Sequence, residues 1–357
     1  MRPASLRTWW LKAHRWFGLS LGGVLLLAAV TGALMTVARP LDAWLHPELF
    51  RVAPAPQAAA ALPLEQVRRQ LEAEFGAGVA FRLRPPREPG DSLWASVQGA
   101  WTGTVYFHPD TAAELGRRGE HEGLANWLFE LHSNLLLGEA GKALLAATAL
   151  AYLLLLVSGL VLWWPARWRH AFSLRLVGGT TRALFDLHRV GGALLGLAIA
   201  VSVLSGAYMA WRPLSAAVTA LSGAQATAAP RPRVEPGGTA APLDQLLVRA
   251  RQALPGGLVG FVQVAGHGQP VRVRLRLPDD PHPNGLSSVW LHPATAQVLA
   301  VQRWQGLDPG ARAYVFMYPL HIGELGGVAH LVLTGMLGLA LAGFGATGVW
   351  LWWRRRR

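Results

Sequence analysis

Four of the chain's 12 histidines recur as two matched sets along the sequence. His14 and His188 are each followed by arginine, and His132 and His321 are each preceded by leucine. Neutral imidazole is a good axial ligand for haem iron, and helix bundles place cofactors between ligands on facing helices. Two facing imidazoles without a nearby carboxylate therefore predict haem b, with two haem irons expected, one held by His14 and His188 and one by His132 and His321.

Residues close to these histidines fit the same cofactor. Gly18 and Gly192 would leave room for a flat porphyrin beside the helix backbone, and Arg15 and Arg189 could bind its propionates. His330 is a further candidate ligand, although a continuous helix from His321 would turn it to the opposite face. Two alternatives stay open, because glycines in membrane helices also serve helix packing and histidines also relay protons.

Such histidines must be positioned by membrane helices. Hydrophobic residues make up 52% of the 357 residues and charged residues only 15%, which is too apolar for an ordinary soluble domain. A span of the bilayer needs roughly 20 apolar residues in a helix. The predicted spans are Trp16–Val37, Ala140–Trp164, Val190–Trp211 and Val328–Trp353. The absence of cysteine excludes disulfides, thiolate metal sites and covalently attached c-type haem.

The basic residues predict the orientation of these spans. The net charge of +13 is concentrated in three short segments, 1–15, 165–189 and 354–357. Lys and Arg in short segments mark the cytoplasmic side, so both termini are predicted inside and both long connections in the periplasm, across a bacterial inner membrane. No basic patch remains in the long connections, which argues against a nucleic-acid partner.

The two halves of the sequence match each other without gaps. Thr31-Gly32-Ala33 aligns with Ser205-Gly206-Ala207, and Ser158-Gly159 aligns with Thr347-Gly348. The fold class predicted is a membrane α-helical four-helix bundle, formed by internal duplication, with two outer α+β lobes of one helix and three or four antiparallel strands each. The predicted division is 1–39 (N-terminus and first span), 40–131 (first lobe), 132–164 (second span), 165–189 (cytoplasmic loop), 190–212 (third span), 213–320 (second lobe) and 321–357 (fourth span and basic tail).

Four motifs stand out along the spans. They are His14-Arg15-x-x-Gly18, Asp186-Leu187-His188-Arg189, Leu320-His321-x-Gly323, and Leu131-His132 continuing to Ser158-Gly159-x-x-x-Trp163-Trp164-Pro165. Together they resemble the PepSY-associated transmembrane family, which includes FoxB-like ferrisiderophore reductases and related iron-uptake proteins. The resemblance covers nearly the whole chain. It implies an inner-membrane protein with b-type haems, and outer units similar to PepSY domains.

Two functions follow as hypotheses. The leading one is a reductase that passes electrons across the membrane to a periplasmic acceptor, which the resemblance implies is a ferric siderophore that releases Fe(II). No nicotinamide or flavin fingerprint occurs, so the electron donor would be quinol or a separate flavoprotein. The alternative is a non-enzymatic, membrane-anchored PepSY module that binds or regulates a partner. Lipid-facing surfaces of the spans could also form a homodimer.

Overall fold

The structure is a computed structural model that describes residues 6–53, 62–234, 238–266 and 268–356. The predicted basic ends 1–5 and Arg357 lie outside the described residues. The helices, in chain order, are α1 (Leu6–Leu45), α2 (Pro47–Phe50), α3 (Leu64–Phe75), α4 (Leu124–Asn134), α5 (Gly138–Trp163), α6 (Thr180–Ala210), α7 (Arg212–Leu221), α8 (Leu243–Ala253), α9 (Pro309–Ile322) and α10 (Gly327–Arg354).

Four of these helices are long and apolar enough to cross a membrane, namely α1, α5, α6 and α10. Each contains one predicted span or nearly all of it. The helices α1 and α6 also extend well beyond the apolar run, since backbone hydrogen bonding continues through their polar ends. The chain divides into a bundle unit, built from residues up to Val37, Leu128–Ser215 and from Met317, and a sheet unit, built from Ala38–Trp127 and Ala216–Phe316.

The second and fourth spans begin later than the predicted division at 132 and 321. His132 and His321 lie instead in the last turns of α4 and α9, which end before α5 and α10 begin. Backbone reversals with positive φ separate the helices, at Leu135 and Leu136 in one half and at Gly323 in the other. The two histidines are therefore held on short helices of their own. The chain from His321 to His330 is likewise not one continuous helix, so the spacing of nine residues does not decide which face His330 occupies.

The strands of the sheet unit form one antiparallel sheet of eight strands in the order β4-β3-β2-β1-β5-β6-β7-β8. The strands are β1 (Ala80–Arg84), β2 (Leu93–Gln98), β3 (Gly103–Phe107), β4 (Glu114–Gly119), β5 (Leu258–Val264), β6 (Val271–Arg276), β7 (Ser287–Leu291) and β8 (Val298–Gln302). Each outer segment contains an amphipathic helix, α3 or α8, followed by four strands, in agreement with the prediction, and further helices lie on either side of them. The two segments are not separate lobes, because β1 pairs with β5 and joins them into a single sheet.

One face of this sheet is a hydrophobic core and the other is not. Alternate strand residues such as Leu83, Val105 and Val273 pack under α3 and α8 and are fully buried. The intervening residues, including Arg82, Trp94, Arg272 and Trp290, therefore point to the opposite face, because successive strand side chains alternate. That second face is rich in arginine and aromatic residues.

Candidate functional site: two facing histidine pairs

The first histidine pair joins α1 and α6. The ring centroids of His14 and His188 lie 6.3 Å apart, with the ring planes at 88°. His14 Nδ1 lies 2.8 Å from Ser158 Oγ on α5, and His188 Nδ1 lies 2.9 Å from Thr347 Oγ1 on α10. All four apolar helices therefore contribute to one site, two by a histidine and two by a hydroxyl that orients it.

The second pair joins α4 and α9. The ring centroids of His132 and His321 lie 6.0 Å apart, with the planes at 30°. His132 Nδ1 contacts Ala28 O at 3.0 Å and Thr31 Oγ1 at 3.1 Å, both on α1. In the same way, His321 Nδ1 contacts backbone O of Ser202 at 2.9 Å and Ser205 Oγ at 3.2 Å on α6.

These contacts determine which nitrogen of each imidazole carries the hydrogen. A carbonyl oxygen only accepts, so Nδ1 of His132 and His321 must donate. Ser158 and Thr347 direct their own hydroxyl hydrogens to helix carbonyls, so their oxygens accept from His14 and His188. Every Nδ1 is thus an N–H donor, which leaves every Nε2 with a free lone pair. This arrangement is typical of metal-ligating histidines, whose other ring nitrogen donates to a carbonyl or another oxygen.

A hydroxyl residue followed by glycine supports each histidine. An ideal Cβ at Gly32 would lie 2.8 Å from Cε1 of His132, and one at Gly206 would lie 2.6 Å from Cε1 of His321. The corresponding distances are 3.4 Å from Gly159 to His14 and 3.7 Å from Gly348 to His188. The sequence comparison had used these dipeptides only as markers of the repeat. Their occurrence on all four spans was the signal that they support the ligands.

The spacing within each pair suits a single metal ion between the rings. Imidazole nitrogens bind metal at about 2.0–2.1 Å, and a ring centroid lies roughly 1 Å behind its nitrogen, so opposed ligands place their centroids about 6 Å apart. Within the described residues no cluster of three or more His, Cys, Asp or Glu side chains could complete a shell. A porphyrin supplies the four missing nitrogens itself, so the donor set fits haem better than zinc or copper.

The two glycines predicted to lie beside the porphyrin, Gly18 and Gly192, both have open space next to the helix backbone. A Cβ at Gly192 would meet nothing within 4 Å, and one at Gly18 would meet only Leu155 Cδ2, at 3.7 Å. Space beside the backbone is therefore present at both positions. At Gly196, in contrast, a Cβ would lie 2.5 Å from Leu156 Cδ1, so that glycine serves helix packing.

Arg189 and His330, which were also predicted as cofactor residues, make contacts of a different kind. Arg189 donates to the carbonyls of Ala171 and Ser173 and contacts buried Asp186 at 3.5 Å, so its guanidinium orders the connection between α5 and α6. His330 makes no hydrogen bond through its ring within the described part of the chain, and its Cβ packs against Gly326. Neither residue joins a histidine pair.

Arg15 lies in a groove at the N-terminal end of α1. The groove has a volume of about 160 Å³. Its lining residues are Lys12, Arg15, Trp16, Leu19, Trp352, Arg355 and Arg356. Four of the described lining residues are cations and none is an acid, so the groove suits an anionic group. Haem propionates and lipid phosphates both carry such a group.

The two pairs lie at different levels of the bundle unit. On α1 the first pair is held at His14 and the second at Thr31, and on α6 the equivalent positions are His188 and Ser205. Each interval is 17 residues, or about 25 Å of helical rise. The sites are therefore closer than the roughly 36 Å expected for a complete 24-residue span.

Comparison with protein families supports the resemblance seen in the motifs. The family model for the PepSY-associated TM region matches residues 11–355. The chain belongs to this family. Together with the four apolar helices, that membership makes it a multi-pass membrane protein. A comparison with curated proteins found no match.

Proposed function

We propose that this PepSY-associated membrane protein is a haem b electron-transfer protein that reduces a periplasmic ferric siderophore. The observation that carries the proposal is that the four histidines face each other in two pairs, at a spacing that suits one metal ion in each pair. In every one of them Nδ1 donates a hydrogen bond and Nε2 keeps a free lone pair. Haem, when bound, supplies a centre that accepts and donates one electron. Four histidines that share one tautomer and face each other in two pairs are hard to explain by helix packing alone.

The protein's own residues fix the tautomer and the position of the four histidine rings. The helix carbonyls and hydroxyls hold each ring in one tautomer, and the adjacent glycines let the rings approach the helices closely. The apolar helices exclude water around the sites. A low-dielectric surrounding strengthens the electrostatic influence of nearby charges and dipoles.

The proposed reaction needs an outside donor. Quinol or a separate flavoprotein would supply one electron per ferric ion, and Fe(III) in the siderophore would become Fe(II). Hard anionic oxygens bind Fe(II) far less tightly, so reduction would release the iron. We also propose that the two halves arose by duplication, because their elements and ligand supports follow the same order, and that the protein lies in the bacterial inner membrane with both termini cytoplasmic.

An absorption spectrum of the detergent-purified protein, oxidised and dithionite-reduced, tests the proposal. A pyridine haemochrome assay should give two b-type haems per chain after expression in haem-replete cells. Reoxidation of the reduced protein by a ferric siderophore, followed with an Fe(II) chelator, tests the acceptor. A colourless protein would contradict the proposal and favour the non-enzymatic PepSY module.

A further inference from the structure

The polar face of the sheet carries arginines that are aligned across its centre. In the strand register Arg82 of β1 pairs with Gln263 of β5, which pairs with Arg272 of β6, which pairs with Trp290 of β7. Arg274 follows on β6, paired with Phe261. We name Arg82, Arg272 and Arg274 the central arginine cluster.

Aromatic rings hold these guanidinium groups in place. Arg82 and Arg274 lie over the ring of Phe261, with guanidinium carbons 4.8 and 4.9 Å from its centroid. Arg272 lies 4.9 Å from the centroid of Trp290 and donates to Ser288 Oγ at 3.1 and 3.0 Å. The cations are therefore preorganised on the sheet, and little side-chain entropy would be lost on binding a ligand.

The cluster has no ion-pair partner among the described residues. Among the described residues none of its three members forms an ion pair, and the buried Nε of Arg274 has no hydrogen-bond partner. Asp280 is the acidic group that acts on Arg274, yet its oxygens accept hydrogen bonds from the backbone N–H groups of His282 and Leu286.

Other arginines of the sheet unit form ion pairs with carboxylates. Arg68 pairs with Glu65 and Glu72, Arg117 with Glu74 and Glu114, and Arg118 with Asp42. The contrast shows that carboxylates pair with arginines elsewhere in the sheet unit, whereas within the described part of the chain the central arginines form no ion pair.

The unpaired cations are held at an energetic cost. Burial, together with the positive charge of Arg272 and Arg82, lowers the pKa of Arg274 to about 10, and burial and Arg82 lower the pKa of Arg272. Like charges held close together without a counter-ion destabilise a fold. A bound anion would remove that cost, and arginine forks match carboxylate oxygens in a bidentate manner.

We propose that the central arginine cluster binds a metal chelate of net negative charge, through carboxylate or catecholate oxygens. This inference rests on the proposed function for the identity of the ligand, and it specifies the class of ferric siderophore. Phe261 and Trp290 would flank a planar or aromatic part of the chelate. Cationic or neutral hydroxamate chelates would bind more weakly.

Binding of gallium(III) citrate to the full-length protein in nanodiscs of neutral phosphatidylcholine tests this inference. Gallium(III) resembles iron(III) in charge and size and is not reduced, so binding is measured separately from electron transfer. Isothermal titration should detect binding that weakens as salt is added. We expect Arg272→Gln to weaken it by about 10- to 100-fold, since hydrogen bonds to charged groups contribute about 1.5–3 kcal/mol.

Two further variants make the test specific. Arg82→Gln changes an exposed strand position and should also weaken binding, even if Arg272→Gln proves unstable. Arg249→Gln removes an equal charge from the exposed surface of α8, against the other face of the sheet, and should bind like the wild type. Equal affinity for gallium citrate and a cationic gallium hydroxamate would overturn the inference, as would wild-type binding by both cluster variants.

The outcomes also separate this inference from the proposed function. Arginine-dependent gallium citrate binding by a protein without haem would support the site and refute the reductase. Two haems and reduction of a cationic ferric hydroxamate, without gallium citrate binding, would support the reductase and refute the site. Loss of binding when anionic phosphatidylglycerol is added to the nanodiscs would assign the cluster to lipid phosphate and overturn the inference.

Discussion

The first pair (His14 and His188) and the second pair (His132 and His321) use the same chemistry with different support. In the second pair a helix carbonyl accepts from each Nδ1 at 2.9–3.0 Å, with a hydroxyl alongside. In the first pair the close acceptor of each Nδ1 is a side-chain hydroxyl. The ring planes also differ, at 30° in the second pair and 88° in the first.

The difference follows from where each histidine lies. The first pair belongs to the long helices themselves, so each ring reaches across to a neighbouring helix. The second pair lies on α4 and α9 and is pressed against α1 and α6, which explains the close approach to Gly32 and Gly206. The second site therefore depends on tight backbone contact, and the first depends on two hydroxyl groups.

Removing a ligand should have the largest effect. We expect His188→Ala and His321→Ala each to lower the haem content from two to one per chain, because one imidazole alone holds haem less firmly. The pyridine haemochrome assay measures this content. His330→Ala is the matched control and should retain two haems. Retention of two haems in both ligand variants would contradict the assignment of the pairs.

An added methyl group should weaken haem retention at the second site more than at the first. In Gly206→Ala the added Cβ would lie 2.6 Å from His321, whereas in Gly348→Ala it would lie 3.7 Å from His188. Overpacking of this kind costs about 1–3 kcal/mol, so Gly206→Ala should weaken haem retention at the second site by about 5- to 100-fold.

The control for this change is Gly348→Ala, which should leave both haems in place and stabilise α10 slightly, since alanine favours helix. Haem transfer to apomyoglobin measures retention. Equal effects of the two variants would refute the difference in packing between the sites.

Loss of a hydroxyl group should affect the first site more than the second. Thr347→Val removes the acceptor of His188, and the loss of a residue that orients a metal ligand typically lowers affinity about 10- to 100-fold. Ser205→Ala leaves His321 with the carbonyl of Ser202, so its effect should be clearly smaller. A redox titration of each haem should show a larger potential shift in Thr347→Val. A larger shift in Ser205→Ala would contradict this reasoning.

The smallest predicted effect is on the pH dependence of stability, and it depends on His282, a histidine outside the two pairs. His282 Nδ1 accepts a hydrogen bond from the Asn284 N–H, the reverse of the bundle histidines. Burial and the nearby Arg274, Arg87 and Arg276 lower the pKa of His282 to about 4. The unfolded chain protonates first, near pH 6.5, so stability should fall as the pH drops from about 6.5 to 4.

The cost should be on the order of 1–2 kcal/mol after allowance for solvent. His282→Asn keeps a hydrogen-bond acceptor without the titration. Thermal unfolding between pH 7 and pH 4 should therefore show a smaller loss of stability in the variant. An identical pH profile in the two proteins would contradict the role of His282.

The sequence allowed much of this structure to be predicted. The four apolar helices, the pairing of His14 with His188 and of His132 with His321, and one helix with four strands in each outer segment follow from hydropathy, charge and repeat. These features depend on composition along the chain and on matched positions. They are local or periodic properties that a single sequence displays directly.

Other features depended on contacts between distant residues. Hydropathy could not reveal that Gly323 reverses the chain before α10, so His321 was grouped with the fourth span in the segment 321–357. It could not reveal that β1 pairs with β5, because strand pairing is decided by hydrogen bonds between segments far apart in sequence. It also could not reveal that the Arg189 guanidinium donates hydrogen bonds to the connection between α5 and α6.

The sequence by itself therefore determined the four matched histidines and the four apolar helices, and it showed the hydroxyl–glycine dipeptides only as matched positions of the repeat. Only the tertiary structure decided how they act, because the hydrogen on Nδ1, the spacing of 6.3 and 6.0 Å, and the lack of an ion pair at the central arginine cluster among the described residues arise from packing. A histidine's tautomer depends on what its other nitrogen contacts, and for the four paired histidines that contact lies on another helix.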